Sequence, residues 1–558
     1  MKTKLRTLIE KTLQRCFEQG ALSPTGLPDY VIEVPNNPEH GHYATNLPLA
    51  LASSQRRSPL EIAGIILDHL LDEEGLLEGA ETAGPGFINF TINRAVWYRL
   101  LSHVLSVKHD YGRSPTGGNQ KVLVEYVSAN PTGPLHLGHG RGAALGDTLS
   151  RILAFCGYDV TREFYINDAG QQVRLLGESI FSRWNQLLDP QYPFPERGYH
   201  GDYALDLART VSKVHGLGAM PSEEAIETCA QKGKAIMLEE IKRDLERFRV
   251  TFDRWYSETE LYDSGLLNKT LKAVEKKGHL YEADGALWIR TSDFGDDKDR
   301  VIRKKDGEFT YFASDIAYHL DKKRRGFEKA INVWGADHHG YVPRIQAALS
   351  AYGFPEGWLS VMLIQLVKLW KNGQEIKMSK RAGSYVTLQE LMDEVGVDAV
   401  RFVFLTKNHD STLDFDIDLA KKQDSDNPVY YVQYAHARIC SIFRKAAQEG
   451  ISLNEGPHDL LGHLVLEEEL GLIRHMAEFP ALLVDICRTL EPHRLTYYLT
   501  DLAAAFHKYF NLGTRNPNCR IVTRDKDLSR ARLSLAEAVR RVLANGLALL
   551  GISAPEKM

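Results

Sequence analysis

The chain has 558 residues, and single hydrophobic cores stop growing beyond ~250–300 residues, so several domains are expected. Hydrophobic and charged fractions of 43% and 25% exclude a chain dominated by disorder. A net charge of −5 excludes a uniformly basic nucleic-acid-binding surface, so any such contact must rest on local patches.

The first segment places Leu5, Leu8, Ile9, Leu13, Cys16 and Phe17 at helical spacing. A short strand is expected over Tyr30–Val34, a helix over Leu60–Leu71, and an alternating strand over Phe87–Ile92 after the Gly84-Pro85-Gly86 turn. Residues 1–115 therefore read as a small α+β domain that closes in a polar, glycine-rich linker.

The texture then changes. Lys121–Val127 (KVLVEYV) is an apolar run suited to a parallel strand covered on both faces. A Pro/Gly loop follows, then a helix over Ala143–Phe155. Strand, glycine-rich loop and helix open a nucleotide-binding α/β sheet of Rossmann type. Further strands are expected at Val160–Tyr165, Ala330–Trp334 and Leu359–Leu366, with a charged helical insertion over about 175–285. This α/β domain is expected over 116–420, and an all-helical bundle over 421–558.

Six scattered cysteines (Cys16, Cys156, Cys229, Cys440, Cys487 and Cys519) form no CxxC pair, which argues against a zinc ribbon or a redox motif. They are expected in the core, in a reducing cytoplasm. The N-terminus carries charges throughout, unlike a signal peptide, and no uncharged apolar run approaches membrane-spanning length.

Chemistry concentrates in two motifs. Ala129–His139 reads ANPTGPLHLGH: two histidines three apart open a helix directly after a strand, where free backbone N–H groups favour phosphate. Gly138 and Gly140 would let the backbone approach a nucleotide, and His136 and His139 could donate to phosphate oxygens. An isolated HxxH could equally be a helix-capping loop. The second motif, Glu375–Leu388 (EIKMSKRAGSYVTL), sets Lys377, Met378, Ser379 and Lys380 before a glycine. Alone it could be a solvated basic loop. Together, in this order and flanking an insertion, the motifs are specific.

HLGH and KMSK resemble the signatures of class I aminoacyl-tRNA synthetases. The resemblance implies that His136 and His139 contact ATP phosphates, with Ala129, Pro131, Thr132, Gly133, Pro134, Leu135, Leu137 and Gly138 around the nucleotide. Lys377 and Lys380 would stabilise the transition state at the α-phosphate, Met378 and Ser379 would bind ATP, and Mg²⁺ would accompany it.

Glu125 lies near the C-terminal end of its strand, where α/β sheets place ligands. Asp315 lies in FTYFASDIAYHLDK, with Tyr311 four residues earlier on what would be one helix face. Two carboxylates and a ring suit a guanidinium, although Asp315 could be a surface acid and Glu125 part of a structural ion pair. VEYVSANPTGPLHLGH, YFASDIAYH, GADHHGY and VDAVRFVFL resemble arginyl-tRNA synthetase segments in that order. The resemblance implies that Glu125, Asn130, Tyr311 and Asp315 hold arginine, with Asp337 where family members often have glutamine. An intact KMSK agrees with Gly133 in place of the lysine that family members with a degenerate second motif carry there.

Residues 1–115 resemble the family's tRNA-elbow-contacting domain, with Asn89, on the exposed end of FINF, as a candidate base contact. The C-terminal helices resemble its anticodon-binding domain, where Tyr430, Tyr431, Tyr434, His436 and Arg438 could stack on bases, bind phosphate or simply pack the bundle. The implied function is ligation of arginine to tRNA(Arg) with ATP, by a cytoplasmic monomer without zinc or membrane attachment. A cysteinyl enzyme would need zinc thiolates, and small nucleotidyltransferases sharing an HxGH loop are far shorter.

Overall fold

The structure is a computed structural model that describes residues 1–558 except 36, 169, 268, 270–271, 273–276, 377–385 and 454–457. Lys377, Met378, Ser379 and Lys380 lie outside the described residues. The chain divides into two compact units. One comprises Met1–Tyr111, Arg438–Phe479 and Ala504–Val542; the other comprises Gly112–Ala437, Pro480–Ala503 and Leu543–Met558. The C-terminal part is all-helical, as expected, and contributes segments to both units.

In the first unit, strands β1 (Ile32–Glu33), β2 (Tyr43–Thr45), β3 (Leu77–Ala83) and β4 (Phe87–Ile92) form an antiparallel sheet in the order β1-β2-β4-β3. The helix Lys2–Glu18 buries Leu5, Ile9, Leu13 and Cys16, the stripe expected from its spacing. Tyr98 and Tyr111 donate their hydroxyls to the carbonyls of Leu464 and Met476, tying later helical residues to this module. Asn89 departs from expectation. It sits inside β4, paired with Ala44 and Glu81, and is 4% exposed, with an amide nitrogen that has no hydrogen-bond partner among the described residues.

The second unit is built on five parallel strands: β5 (Lys121–Glu125), β6 (Asp159–Ile166), β7 (Arg254–Ser257), β11 (Lys329–Gly335) and β12 (Leu359–Ile364). Their order is β12-β11-β5-β6-β7. The chain builds outward from β5 through β6 to β7, then returns to place β11 and β12 on the other side. The reversal between β5 and β11 is a topological switch point, where an open α/β sheet leaves a crevice at its carboxyl edge. The 175–285 stretch is mainly helical up to Arg247, with helices ending at Gln186, His215 and Arg247, and then supplies β7, the edge strand.

Two small sheets flank this core. Strands β8 (Leu280–Ala283), β9 (Ala286–Ile289) and β10 (Arg300–Arg303) form an antiparallel meander. Strands β13 (Val367–Lys371), β14 (Gln374–Ile376) and β15 (Leu413–Asp416) form the other. The helix Leu137–Phe155 packs closely against its surroundings because it carries glycines. A Cβ on Gly146 would lie 2.3 Å from the Tyr126 ring, and one on Gly140 2.7 Å from Leu388. Gly140, expected to admit a nucleotide, therefore admits a neighbouring helix. In VDAVRFVFL, the fully buried Arg401 bonds Asp147 at 2.6 Å and the carbonyls of Leu550 and Phe248 at 2.8 Å. Its role is structural, since removing one member of such a buried pair costs ~3–5 kcal/mol.

Candidate active site

A cleft of about 810 Å³ opens at the carboxyl edge of β5 and β11. Its lining includes Glu125, His136, Leu137, Gly138, His139, Asp315 and Asp337, seven of the residues singled out from the sequence. Gly142, Tyr165, Tyr318, Trp334, Tyr341 and Gln365 complete much of the wall.

One rim is the start of the helix Leu137–Phe155. His136 is its N-cap, and its Nδ1 accepts the N–H groups of Gly138 (3.1 Å) and His139 (3.4 Å). His139 returns the bond by accepting the His136 N–H at 3.4 Å. The motif is therefore a capping box and a candidate phosphate site together. With both Nδ1 atoms accepting, a neutral ring carries its proton on Nε2. Leu388 donates its N–H to the Leu135 carbonyl at 2.8 Å, and Thr387 bridges His136. The end of the second motif is thus fastened to the first.

The opposite wall is acidic. Glu125 ends β5, in register with Asn332 on β11 and Glu163 on β6. This polar row, buried mid-sheet, faces the helix Tyr311–Arg324, which answers each member. Lys322 bonds Glu125 (2.6 Å) and Asn332 (3.0 Å), while Tyr318 (2.7 Å) and Arg325 (2.5 and 2.9 Å) bond Glu163. Val127 and Ser128, just past β5, adopt left-handed φ of +69° and +41°, a strained backbone at the cleft itself. That turn lets Ser128 Oγ donate to Glu125 Oε1 at 3.0 Å.

Asp315 lies one turn into the same helix and accepts the Tyr341 hydroxyl. Burial pushes its carboxyl up to about 6, against the lowering effect of that bond. Sequence reasoning missed a further acid, Glu258. It is 2% exposed, bonds the cleft-lining Tyr165, and has one carboxylate oxygen without a partner among the described residues. Burial and then the nearby Asp315 push it up to about 7. Asp168 sets Glu258 in place, because its carboxylate takes the Ser257 hydroxyl (2.8 and 2.9 Å) and the Thr259 N–H (3.3 Å) on either side. The only local signal was the polar run SETE after a short strand.

Other expected residues lie elsewhere. Asn130 donates to Gln172 at 2.5 Å and Tyr311 is 66% exposed; neither lines the cleft. Of the nucleotide-loop candidates, Ala129, Pro131, Thr132 and Leu135 are buried, Gly133 and Pro134 half-buried, and none of the six is a lining residue. Asp337 is on the rim, its carboxylate 83% exposed and 3.8 Å from His338. Tyr434 is 37% exposed and stacks on Tyr430 with centroids 5.9 Å apart. Arg438 donates to His507 at 3.0 Å and lies over Phe510. His436, 2% exposed and bonded to the Pro555 carbonyl, is a core residue, a correction to its candidacy for tRNA contact. Cys16, Cys156, Cys229, Cys440 and Cys487 are buried, as expected of core residues.

Three family models match the chain: the arginyl tRNA synthetase N terminal domain over 3–92, the tRNA synthetases class I (R) catalytic domain over 100–192 and 209–436, and the DALR anticodon binding domain over 432–558. The chain belongs to the arginyl-tRNA synthetase family. It is 49% identical to the arginine–tRNA ligase of Desulfosudis oleivorans and 47% identical to that of Syntrophotalea carbinolica, each alignment covering 100% of both chains. The arginyl-tRNA synthetase of Thermus thermophilus superposes with a TM-score of 0.79 at 25% identity, covering 100% of both chains. No described helix is long and apolar enough to cross a membrane.

Proposed function

We propose that the cleft divides its work between two walls: the Leu137–Phe155 helix start receives ATP, and Glu125, Asp315 and Glu258 receive the arginine side chain. The enzyme ligates arginine to tRNA(Arg) with ATP. The arginine carboxylate attacks the α-phosphate to give arginyl-adenylate and pyrophosphate, and a hydroxyl of the terminal tRNA adenosine then displaces AMP. ATP arrives as its Mg²⁺ complex.

The observation that carries the division is the acidic wall: Asp315, half-buried, lines the cleft, and Glu258 lies buried behind the cleft-lining Tyr165 with one oxygen that has no partner among the described residues. An unpaired buried carboxylate oxygen is costly, and a guanidinium has five donors in a planar fork to satisfy it. Opposite, the Nε2–H groups of His136 and His139, at the positive end of the helix dipole, would donate to phosphate oxygens as charge moves onto pyrophosphate. Lys377 and Lys380 add positive charge on this reading, Asn130 and Tyr311 close on the bound amino acid, and Asp337 meets it at the rim. Tyr434 and Arg438 offer an exposed ring and a half-buried cation to tRNA, and the enzyme works as a cytoplasmic monomer.

The test is Glu258→Gln. The arginine KM should rise ~10-fold or more, the loss of one charged hydrogen bond, while the ATP KM stays within twofold. An unchanged arginine KM would remove Glu258 from the substrate.

A further inference from the structure

Behind the cleft-lining residues Glu125 and Tyr318 lies a buried cation that the ligation chemistry leaves unexplained. Lys322 is 0% exposed, with Nζ 2.6 Å from Glu125 Oε2, 3.0 Å from Asn332 Oδ1 and 4.2 Å from the centre of the Tyr318 ring. Two oxygens and a π-face account for the three ammonium protons. Burying an ammonium ion is costly, and an apolar side chain would cover the strand without that cost. In sequence Lys322 belongs to the charge run DKKRR, which reads as a solvated face. Its burial therefore calls for a reason beyond packing.

That reason lies in what surrounds it. Asp315, His319 and Lys322 fall at i, i+4 and i+7 on one face of their helix, the face turned to β5 and β11. Their hydrogen bonds run in a single sense. Lys322 donates to Glu125 and to Asn332, the Asn332 amide donates to His319 Nε2 at 3.0 Å, and His319 Nδ1–H donates to the Asp315 carbonyl at 2.7 Å. Burial and then the Lys322 charge push His319 down to about 3, so its Nε2 stays an acceptor. Glu125 is gripped from both sides, by Lys322 on Oε2 and Ser128 on Oε1. No ion pair joins Asp315 or Glu258 to a cation among the described residues.

We infer that Lys322 is the positioning residue of the arginine pocket, acting through Glu125: it fixes the carboxylate in one rotamer and one orientation before substrate arrives. The inference rests on the reading of Glu125 as an arginine contact. It makes a counter-intuitive demand. Deleting a positive charge beside an acidic pocket should tighten a cationic substrate if charge alone mattered. If preorganisation matters, the same deletion weakens it.

Steady-state aminoacylation by Lys322→Met, Lys322→Arg, Glu125→Gln and the double variant Glu125→Gln/Lys322→Met decides between these. Lys322→Met should raise the arginine KM about tenfold, the scale of one charged hydrogen bond, with the ATP KM within about twofold. Lys322→Arg should recover most of the loss. In the Glu125→Gln background, Lys322→Met should change the arginine KM by less than about twofold, because its effect passes through Glu125. Should Lys322→Met fail to fold, the double variant, which removes both buried charges, makes the same comparison against Glu125→Gln. An arginine KM that falls or stays level in Lys322→Met overturns the inference, as do two effects that simply multiply. A normal arginine KM in Glu125→Gln overturns instead the underlying reading of Glu125.

Discussion

His136 and His139 lie ring against ring with centroids 3.6 Å apart, and the Nδ1 of each accepts the backbone N–H of the other. The capping bonds use only the Nδ1 atoms, so on this reading the structural and chemical roles reside on different atoms of each ring. His136→Asn should keep the cap, since asparagine is a good N-cap acceptor, and lose the distal donor. The expected result is a kcat lower by ~10²–10³-fold with the melting temperature nearly unchanged. His136→Ala should show the same kinetic loss and also lose ~1 kcal/mol of stability. Equal kinetics for His136→Asn and wild type would confine the residue to capping.

The acidic wall predicts a pH dependence specific to arginine. Asp315 and Glu258 are pushed up to about 6 and about 7, burial being the main cause of each. Both must be ionised to take a guanidinium. The value of kcat/KM for arginine should therefore fall as pH drops through 7 and steepen toward a two-proton dependence below 6. Measured at saturating arginine, kcat should be flatter, because the bound cation favours the ionised acids. Glu258→Gln should remove the upper part of the acid limb.

The same shifts predict a stability gain from loss of function. A carboxyl whose folded value lies above its unfolded one holds its proton longer in the folded state. Stability from that group is full at low pH and declines as pH rises through the folded value. For Asp315 the decline runs from its ordinary value near 3.8 to about 6, so at pH 7.5 the ionised acid destabilises the empty enzyme. Asp315→Asn should melt higher than wild type at pH 7.5 without arginine, and this advantage should vanish near pH 4. Differential scanning calorimetry at both pH values checks the sign. A lower melting point at pH 7.5 contradicts it.

Much of this architecture was legible in the sequence because buried parallel strands have to be apolar runs. Lys121–Glu125, Asp159–Ile166, Lys329–Gly335 and Leu359–Ile364 all stood out in that way. The strand Arg254–Ser257 did not: it is short, at the sheet edge, and buries only Tyr256. Missing it hid Glu258, the next residue, whose burial depends on Tyr165 and Asp168 about ninety residues earlier. Lys322 was hidden for a similar reason. A charge run carries no mark of which member a helix will turn toward the sheet. Asn89 shows the reverse case, a polar strand position that alternation assigns to solvent and the structure buries at 4% exposure.

Selection of a planar cation by three carboxylates is tested most directly by aminoacylation of tRNA(Arg) with arginine, lysine and citrulline, the neutral urea isostere of arginine. A site built to pair buried polar groups rejects an analogue that leaves them unmatched by ~10⁴–10⁵-fold. Both lysine, a point charge, and citrulline, a fork without charge, should show kcat/KM lower than arginine by about that factor. Citrulline charged within tenfold of arginine would mean that shape alone is read, and would contradict the role assigned to Glu125, Asp315 and Glu258.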